Sequence, residues 1–341
     1  GATEALSELA ELTASPVFCT MPGKSAFNER HPLSLGAGSG TTTGPAHHWL
    51  TNSDVILALG SSLTRSPYAQ KINRGKTIIH NTNNPEDLNK DEAVDVGLVG
   101  DTRLTVEALI ACIKEKTDNR GSGDRHQIEG EVAAVRATWM AEWSPILNSD
   151  EEPISYYRVI QALNETLDAE NSIVTHDAGA PRDSIVPFYT ATTPHSYVGW
   201  GKTTHLGFGI PLMIGAKMAE PDKFCLNLMG DGAFGMSGTD IETAARSGAA
   251  ITTVLLNNSA MATYSGPTQG TIGAEAREQY GVSTMQGDYG KIAEGMGAVG
   301  LHVNKTSELA PALKEAQRLN ANGRTVLIDV RANVEDRRSR F

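Results

Sequence analysis

The chain has 341 residues, a net charge of −11 at pH 7 and ordinary proportions of hydrophobic and charged residues. This length accommodates two domains, and an acidic chain without a basic run is not expected to bind nucleic acid. No apolar run reaches the roughly 20 residues of a membrane helix, and Cys19, Cys112 and Cys225 are predicted to be reduced core residues of a cytoplasmic protein.

The first 115 residues alternate between helical and strand patterns. Apolar residues recur along one side of residues 3–13, which predicts an amphipathic helix, and a second helix is predicted at residues 103–114. Short apolar runs predict buried strands at residues 16–20, 54–60 and 76–80. This alternation is typical of an open, mostly parallel α/β sheet flanked by helices.

A polar stretch separates this first domain, residues 1–115, from a second domain at residues 151–331. Residues 116–150 are interpreted as a linker, up to residue 127, and a surface helix over residues 128–143. The last ten residues, 332–341, form a charged tail that is expected to be frayed or to act as a lid.

The second domain again alternates strands and helices, which predicts a second open and mostly parallel sheet. Its predicted helices cover residues 154–167, 210–218, 237–247, 289–297 and 307–319. Its predicted strands cover residues 172–175, 224–229, 250–256, 299–303 and 325–330.

Two strands of the second domain end in polar motifs. Asp231 stands in a Gly-Asp-Gly motif after one strand, and Asn258 ends an Asn-Asn pair after the next. Parallel strands joined by a helix place these residues at neighbouring strand ends, where carboxylate, amide and carbonyl oxygens suit Mg²⁺. The glycines and a helix N-terminus can approach phosphate oxygens, so the sequence predicts a magnesium-diphosphate site.

This motif pair resembles the fingerprint of the thiamin diphosphate-dependent enzymes of the acetolactate synthase and pyruvate decarboxylase superfamily. The resemblance implies that Asp231, Asn258 and the carbonyl of Ala260 hold Mg²⁺. It also implies cofactor contacts from Gly179, Ala180, Leu206, Gly230, Gly232, Ala233 and Met261.

The first domain resembles the middle domain of the same superfamily, a partial Rossmann-like fold that here lacks its first strand. The resemblance is carried by residues 20–24, 31–36, 53–60 and 99–101. Thr82 and Asn84 stand where FAD-binding relatives have acidic residues, so FAD is not expected and an adenine nucleotide (ADP) or the CoA adenylate is the candidate ligand. Arg65 is either a phosphate contact or a solvated loop residue.

The glycine-rich segment 199–209 corresponds to the family's cradle for the aminopyrimidine ring, in which Leu206 is the wedge between the two rings. His205 and Lys202 beside it are candidate catalytic acid/base or anion-binding groups, or they are structural. Residues 260–281 resemble the segment that closes over the substrate.

The segments 175–183 and 199–204 are most similar to those of 2-hydroxyacyl-CoA lyases, which implies a C–C bond lyase or carboligase acting on a small-molecule substrate. An acetolactate synthase-like transferase or a 2-keto acid decarboxylase is the alternative. A non-catalytic regulatory subunit is the alternative of another class, and the intact Asp231 and Asn258 argue against it.

In this family a glutamate of an N-terminal pyrimidine-binding domain activates the cofactor, and no such domain is found among these residues. The chain is therefore expected to be inactive alone and to be completed by a complementary pyrimidine-binding polypeptide, either a clipped fragment or a separate subunit. A homo- or hetero-oligomer is expected, either a dimer of active units or a tetramer.

Overall fold

Parallel strands and helices alternate along the chain in the computed structural model, which describes residues 1–200, 205–260, 279–281 and 284–341. The chain divides into two compact units. Unit 1 comprises Gly1–Glu142, Ala191–Pro194 and Ser339–Phe341, and unit 2 comprises Trp143–Thr190 and His195–Arg338. The predicted fold class, parallel sheets flanked by helices, is confirmed.

Unit 1 contains two small parallel sheets, β1–β2 and β3–β4–β5. Its strands are β1 (Val17–Thr20), β2 (Ser34–Gly38), β3 (Val55–Leu59), β4 (Thr77–Thr82) and β5 (Val96–Val99). Its helices are α1 (Thr3–Thr13), α2 (Gly44–Asn52), α3 (Thr102–Lys116) and α4 (Arg125–Leu147), the last of which continues into unit 2.

The apolar stripe of α1 packs against α3 in unit 1. Leu9 of α1 forms a buried cluster with Val106 and Ile110 of α3. Asp101 caps α3 by accepting a hydrogen bond from the Leu104 N–H at 3.1 Å. The spacing of apolar residues in each helix thus determines which faces meet.

Unit 2 contains a six-stranded sheet among the residues described, with the order β10-β11-β9-β8-β6-β7 and every pair parallel. The strands are β6 (Ser172–His176), β7 (Tyr197–Val198), β8 (Phe224–Gly230), β9 (Thr252–Asn257), β10 (Val299–Val303) and β11 (Val326–Arg331). The helices are α5 (Tyr156–Thr166), α6 (Ala180–Phe188), α7 (Gly209–Ala219), α8 (Asp231–Ser237), α9 (Asp240–Ser247), α10 (Tyr289–Gly295) and α11 (Leu309–Ala321).

The central strands β8 and β9 are buried on both faces, as the continuous apolar runs predict. Their register pairs Leu226 with Thr252 and Gly230 with Leu256. Because both strands end at the same edge of the sheet, the residues that follow them leave the sheet side by side.

The predicted helix at residues 237–247 is wrong at its start. Two helices occupy this region: α8 begins at Asp231, directly after β8, and α9 follows at Asp240. They separate at Gly238, where a Cβ atom would lie 2.5 Å from the ring of Phe234. The bare glycine lets this ring pack against the backbone between the helices.

Of the two expectations for the charged tail, fraying is also wrong, whereas a role as a lid stays a prediction. Glu335 is buried in unit 2 and accepts hydrogen bonds from Ser155 Oγ at 2.9 Å and Arg337 Nε at 2.7 Å. In unit 1, Ser339 is buried and donates its hydroxyl to the Thr42 carbonyl at 2.6 Å. Paired charges and a bonded hydroxyl allow this charged segment to be buried.

Two smaller expectations need adjustment. Cys19 and Cys225 are buried, but Cys112 is exposed, because it lies on the outer face of α3. Helix α4 begins inside the predicted linker, at Arg125, and it buries Trp139 and Trp143, so it is more than a surface helix. Within the described residues, no helix is long and apolar enough to cross a membrane.

Candidate functional site

Three polar residues follow the carboxyl ends of adjacent strands in unit 2. Asp177 follows β6, Asp231 follows β8, and Asn258 follows β9. The predicted juxtaposition of Asp231 with the Asn257–Asn258 turn thus arises from the parallel pairing of β8 with β9.

The Asp231 carboxylate is buried, with 2% of the residue exposed. Its Oδ1 accepts the Gly232 N–H at 2.8 Å, whereas Oδ2 is buried and has no hydrogen-bond partner among the described residues. Burial raises the pKa of this carboxyl, and the N–H groups of Gly232, Ser259 and Ala260 oppose that rise. A buried oxygen without a partner is costly, so this site suits a ligand that supplies positive charge.

Asn258 is held in one orientation by two hydrogen bonds. Its Oδ1 accepts the Ala260 N–H at 2.9 Å, and its Nδ2 donates to the hydroxyl of Tyr156 at 2.8 Å. Because an N–H can only donate, the bond from Ala260 identifies the amide oxygen. Ser259 between them has a left-handed backbone, with φ at 54°, and this conformation closes the turn beside Asp231.

Asp177 connects β6 to the glycine-rich segment. Its carboxylate accepts N–H groups from Ala178 at 2.7 Å, Gly207 at 2.9 Å and Gly209 at 3.0 Å. Burial raises the pKa of the Asp177 carboxyl, and these three donors together with the nearby His205 counteract that effect. This role of Asp177 in anchoring the glycine-rich segment was not predicted from the sequence. The sequence feature that could have indicated it is an aspartate placed directly after a strand.

The glycine-rich segment carries two of the candidate residues within the described part of the chain. Leu206 is partly buried and packs against the apolar core that contains Met213 and Phe234. His205 is exposed, and its ring centroid lies 6.2 Å from that of Trp200. Lys202 lies outside the described residues, so its predicted role stays a prediction.

Gly179 and Ala180 lie at the start of α6, beside the Gly-Asp-Gly motif where β8 ends and α8 begins. Gly179 has φ at 86°, which favours glycine, and a Cβ added to Gly230 would be 3.8 Å from Pro181 Cγ. Arg182 is buried and donates from Nε and Nη2 to Asp183 Oδ1, at 2.9 and 2.6 Å. This guanidinium therefore has a carboxylate partner within its own helix.

Of the remaining predicted cofactor and metal contacts, three lie within the described residues and one does not. Gly232 lies in the first turn of α8, and Ala233 beside it is buried in the core of unit 2. Ala260 begins the stretch after the Asn258 turn, and Met261 and most of the predicted closing segment lie outside the described residues.

In unit 1, the residues at the predicted nucleotide positions are used locally. Thr82 Oγ1 accepts the Asn84 N–H at 3.1 Å, and Asn84 Oδ1 accepts the Glu86 N–H at 3.2 Å. Arg65 is exposed and pairs with Glu92 through bonds of 2.7 and 2.9 Å. These side chains organise their own turn and loop.

Two family models match the chain in the order that the motifs predicted. Residues 1–109 match the model described as the thiamine pyrophosphate enzyme central domain, and residues 177–330 match the C-terminal TPP binding domain. The chain belongs to the thiamine pyrophosphate enzymes. The predicted family and its two domains, middle and C-terminal, are confirmed.

The relatives of this thiamine pyrophosphate enzyme include synthases and an oxidase. A probable acetolactate synthase large subunit of Methanococcus aeolicus is 28% identical over 93% of the chain, which covers 54% of that protein. A putative thiamine pyrophosphate-containing protein of Bacillus subtilis is 28% identical over 91% of the chain and 52% of its own length. Pyruvate oxidase of Lactiplantibacillus plantarum is 24% identical over 96% of the chain and 53% of its own length. The chain spans about half the length of these relatives.

Proposed function

We propose that this chain supplies the metal- and diphosphate-binding part of a thiamin diphosphate-dependent enzyme that converts a 2-keto acid in the manner of acetolactate synthase. The observation that carries the proposal is the buried Asp231 carboxylate, whose Oδ2 lacks a hydrogen-bond partner in the described part of the chain. It lies beside the turn at residues 258–260, whose Ser259 and Ala260 N–H groups approach it, in a domain that matches the C-terminal TPP binding domain.

The donor set fits Mg²⁺ with a diphosphate. Asp231, the Asn258 amide oxygen and the Ala260 carbonyl are hard oxygen ligands, and Mg²⁺ usually fills its other positions with phosphate oxygens and water. The ion would neutralise both the unpaired carboxylate oxygen and the diphosphate, which could not otherwise lie beside Asp231. Gly230 and Gly232 carry no side chain that would obstruct the diphosphate.

When bound, thiamin diphosphate would supply a nucleophilic carbon for a substrate carbonyl group and an electron sink for the C–C bond that breaks. The chain's own contribution is binding and orientation. Asp177 anchors Gly207 and Gly209 at fixed positions, which supports the proposed role of this segment as the cradle of the aminopyrimidine ring. Leu206, directly before Gly207, is the proposed wedge, and His205 is a proposed proton-transfer or anion-binding group at the exposed side.

The relatives favour the synthase-like alternative over the 2-hydroxyacyl-CoA lyase that the sequence motifs indicated. Acetolactate synthases recur among them, at 28% identity in Methanococcus aeolicus and in Mycobacterium leprae. The lyase remains a second candidate, because the segments 175–183 and 199–204 resemble those of lyases. The two functions are distinguished by measuring whether the assembled enzyme consumes a 2-keto acid or a 2-hydroxyacyl-CoA.

A pyrimidine-binding polypeptide beyond these residues is part of the proposal. The matched relatives are about twice as long as the chain, and several are named as large subunits, which supports assembly with further protein. We propose no flavin for the central domain, because Thr82 and Asn84 replace the acidic residues and hydrogen-bond within their own turn.

The substitution Asp231→Ala tests the proposed site. We expect it to abolish the binding of thiamin diphosphate in the presence of Mg²⁺, because it removes the only ligand with a full charge among those proposed. Isothermal titration calorimetry of the chain with the cofactor, with Mg²⁺ and then with EDTA, measures this effect.

Asp240→Ala is the matched control, since Asp240 is an acidic residue at the start of α9 that has no proposed ligand role. It should bind the cofactor as the unmodified chain does. Undiminished and EDTA-resistant binding to Asp231→Ala would refute the assignment of the site.

A further inference from the structure

Tyr156 reaches the candidate metal site from a distant part of the sequence. It is the first residue of α5, which Ser155 caps by accepting the Tyr157 N–H at 3.2 Å. The side chain is buried, with 2% of the residue exposed, and its hydroxyl accepts the Asn258 Nδ2 hydrogen bond at 2.8 Å.

We propose that Tyr156 is a positioning residue that fixes the Asn258 amide so that its oxygen serves the metal ion of the diphosphate site. The inference rests on the proposed function and adds to it a residue that contacts neither metal nor cofactor.

The two ends of the Asn258 amide have different hydrogen-bond partners. The Ala260 N–H engages one lone pair of Asn258 Oδ1, and an amide oxygen has a second lone pair for a cation. The Nδ2 group must then be bound elsewhere, or it remains a buried donor without a partner. The Tyr156 hydroxyl fills this position. After rotation of the amide by half a turn the hydroxyl could still donate to Oδ1, but the Ala260 N–H would then face the Nδ2 group, so one of the two bonds would be lost.

The hydrogen bond between Tyr156 and Asn258 joins the start of α5 to the turn that follows β9. Helix α5 begins immediately after residues whose strand-like pairing places Ile154 beside Ala332, directly beyond β11. The hydroxyl is therefore held by the packed start of α5 and not by a loose side chain. Residues that orient metal ligands in this way typically change metal affinity about 10- to 100-fold when they are substituted.

Tyr156→Phe is the decisive variant, because it removes one hydroxyl and preserves the ring. The adjacent Tyr157→Phe is the matched control: Tyr157 is equally buried, but its hydroxyl donates to the Arg337 carbonyl at 2.7 Å and does not touch Asn258. Mn²⁺ serves as the probe ion, in the presence of thiamin diphosphate. Electron paramagnetic resonance gives the free ion concentration and the spectrum of the bound ion, and thermal unfolding without metal gives the stability of each variant.

We expect Tyr156→Phe to weaken Mn²⁺ binding by about 10-fold or more and to alter the spectrum of the bound ion at saturation. Tyr157→Phe should leave both unchanged, even if it lowers the melting temperature. A Tyr156→Phe chain with the Mn²⁺ affinity and spectrum of the unmodified chain would overturn the inference and leave the proposed function standing. An unmodified chain that binds no Mn²⁺ with the cofactor would overturn both.

Discussion

His176 is a buried histidine that lies between the sheet and the glycine-rich segment. It is fully buried at the end of β6, with its ring 5.9 Å from the rings of Tyr197 and Phe208. Burial lowers the pKa of its imidazole to about 3, with a smaller contribution from the charge of Arg182. The side chain therefore remains neutral in the folded protein at every pH of practical interest.

This neutrality predicts a pH-dependent stability. In the unfolded chain the pKa of His176 returns to about 6.5, so below that pH the unfolded state takes up a proton that the folded state excludes. The contribution of His176 is present above pH 6.5 and is lost as the pH falls, by about 1.4 kcal/mol per pH unit.

The measurement is urea unfolding of the unmodified chain and of His176→Gln between pH 7.5 and about pH 5. Glutamine cannot be charged, so the difference in the free energy of unfolding between the two proteins should shrink with acidification. Two curves that run parallel across this range would show that His176 is not protonated on unfolding.

A candidate site residue could be predicted from the sequence where a local motif marks it. It was missed where its hydrogen-bond partner is distant in the chain and only the fold brings the two together. Asp231 and Asn258 stand out in the sequence because a Gly-Asp-Gly motif follows one apolar run and an Asn-Asn pair follows the next. Asp177 and Tyr156 do not, because their partners Gly209 and Asn258 lie 32 and 102 residues away in the chain. Only the strand order brings these groups together.

At the level of elements, periodic segments were predicted and glycine-rich ones were not. Helix α1 is found at the predicted residues, because its apolar stripe has the helical period throughout. The start of α8 was missed, since Gly-Asp-Gly has the composition of a turn and yet Asp231 begins a helix. Strand β2, with the sequence Ser-Leu-Gly-Ala-Gly, has no alternation to reveal it.

The packing of α7 on β8 leads to a prediction at this level. Gly209 begins α7, and a Cβ atom there would lie 2.2 Å from Asn227 Oδ1 of β8. Gly209→Ala should therefore lower the free energy of unfolding by about 1–3 kcal/mol, because either the helix or the buried amide must shift. Urea unfolding measures the change.

The same helix offers its own control. Gly215 lies in the interior of α7, and a Cβ atom there would meet nothing within 4 Å. Gly215→Ala should raise the free energy of unfolding by up to about 1 kcal/mol, because alanine favours the helix. Equal effects of the two substitutions would contradict the assigned contact between α7 and β8.

At the scale of the whole molecule, we expect catalytic turnover only when this chain is assembled with a complementary pyrimidine-binding polypeptide. The chain with Mg²⁺ and thiamin diphosphate should bind the cofactor and not turn over pyruvate, because no pyrimidine-activating glutamate is assigned within it. Addition of a complementary pyrimidine-binding polypeptide should give acetolactate formation, measured as acetoin after acid treatment.

The control is the same mixture with the Asp231→Ala chain, which should stay inactive although its partner is intact. Full turnover by a homogeneous preparation of the 341-residue chain would show that the proposed assembly is unnecessary. Turnover of a 2-hydroxyacyl-CoA in preference to pyruvate would identify the lyase instead.

The buried Ser339 has a consequence for the synthesis of the protein on the ribosome. Its carbonyl accepts the Thr42 N–H at 2.9 Å, and its hydroxyl accepts the Trp139 Nε1 hydrogen bond at 3.1 Å, so unit 1 needs a residue made long after Glu142. At usual elongation rates the ribosome takes about 10–40 s to make the intervening stretch of about 200 residues. During that interval the nascent unit 1 exposes surface that Ser339 later covers, which gives chaperones and proteases a defined period in which to engage it.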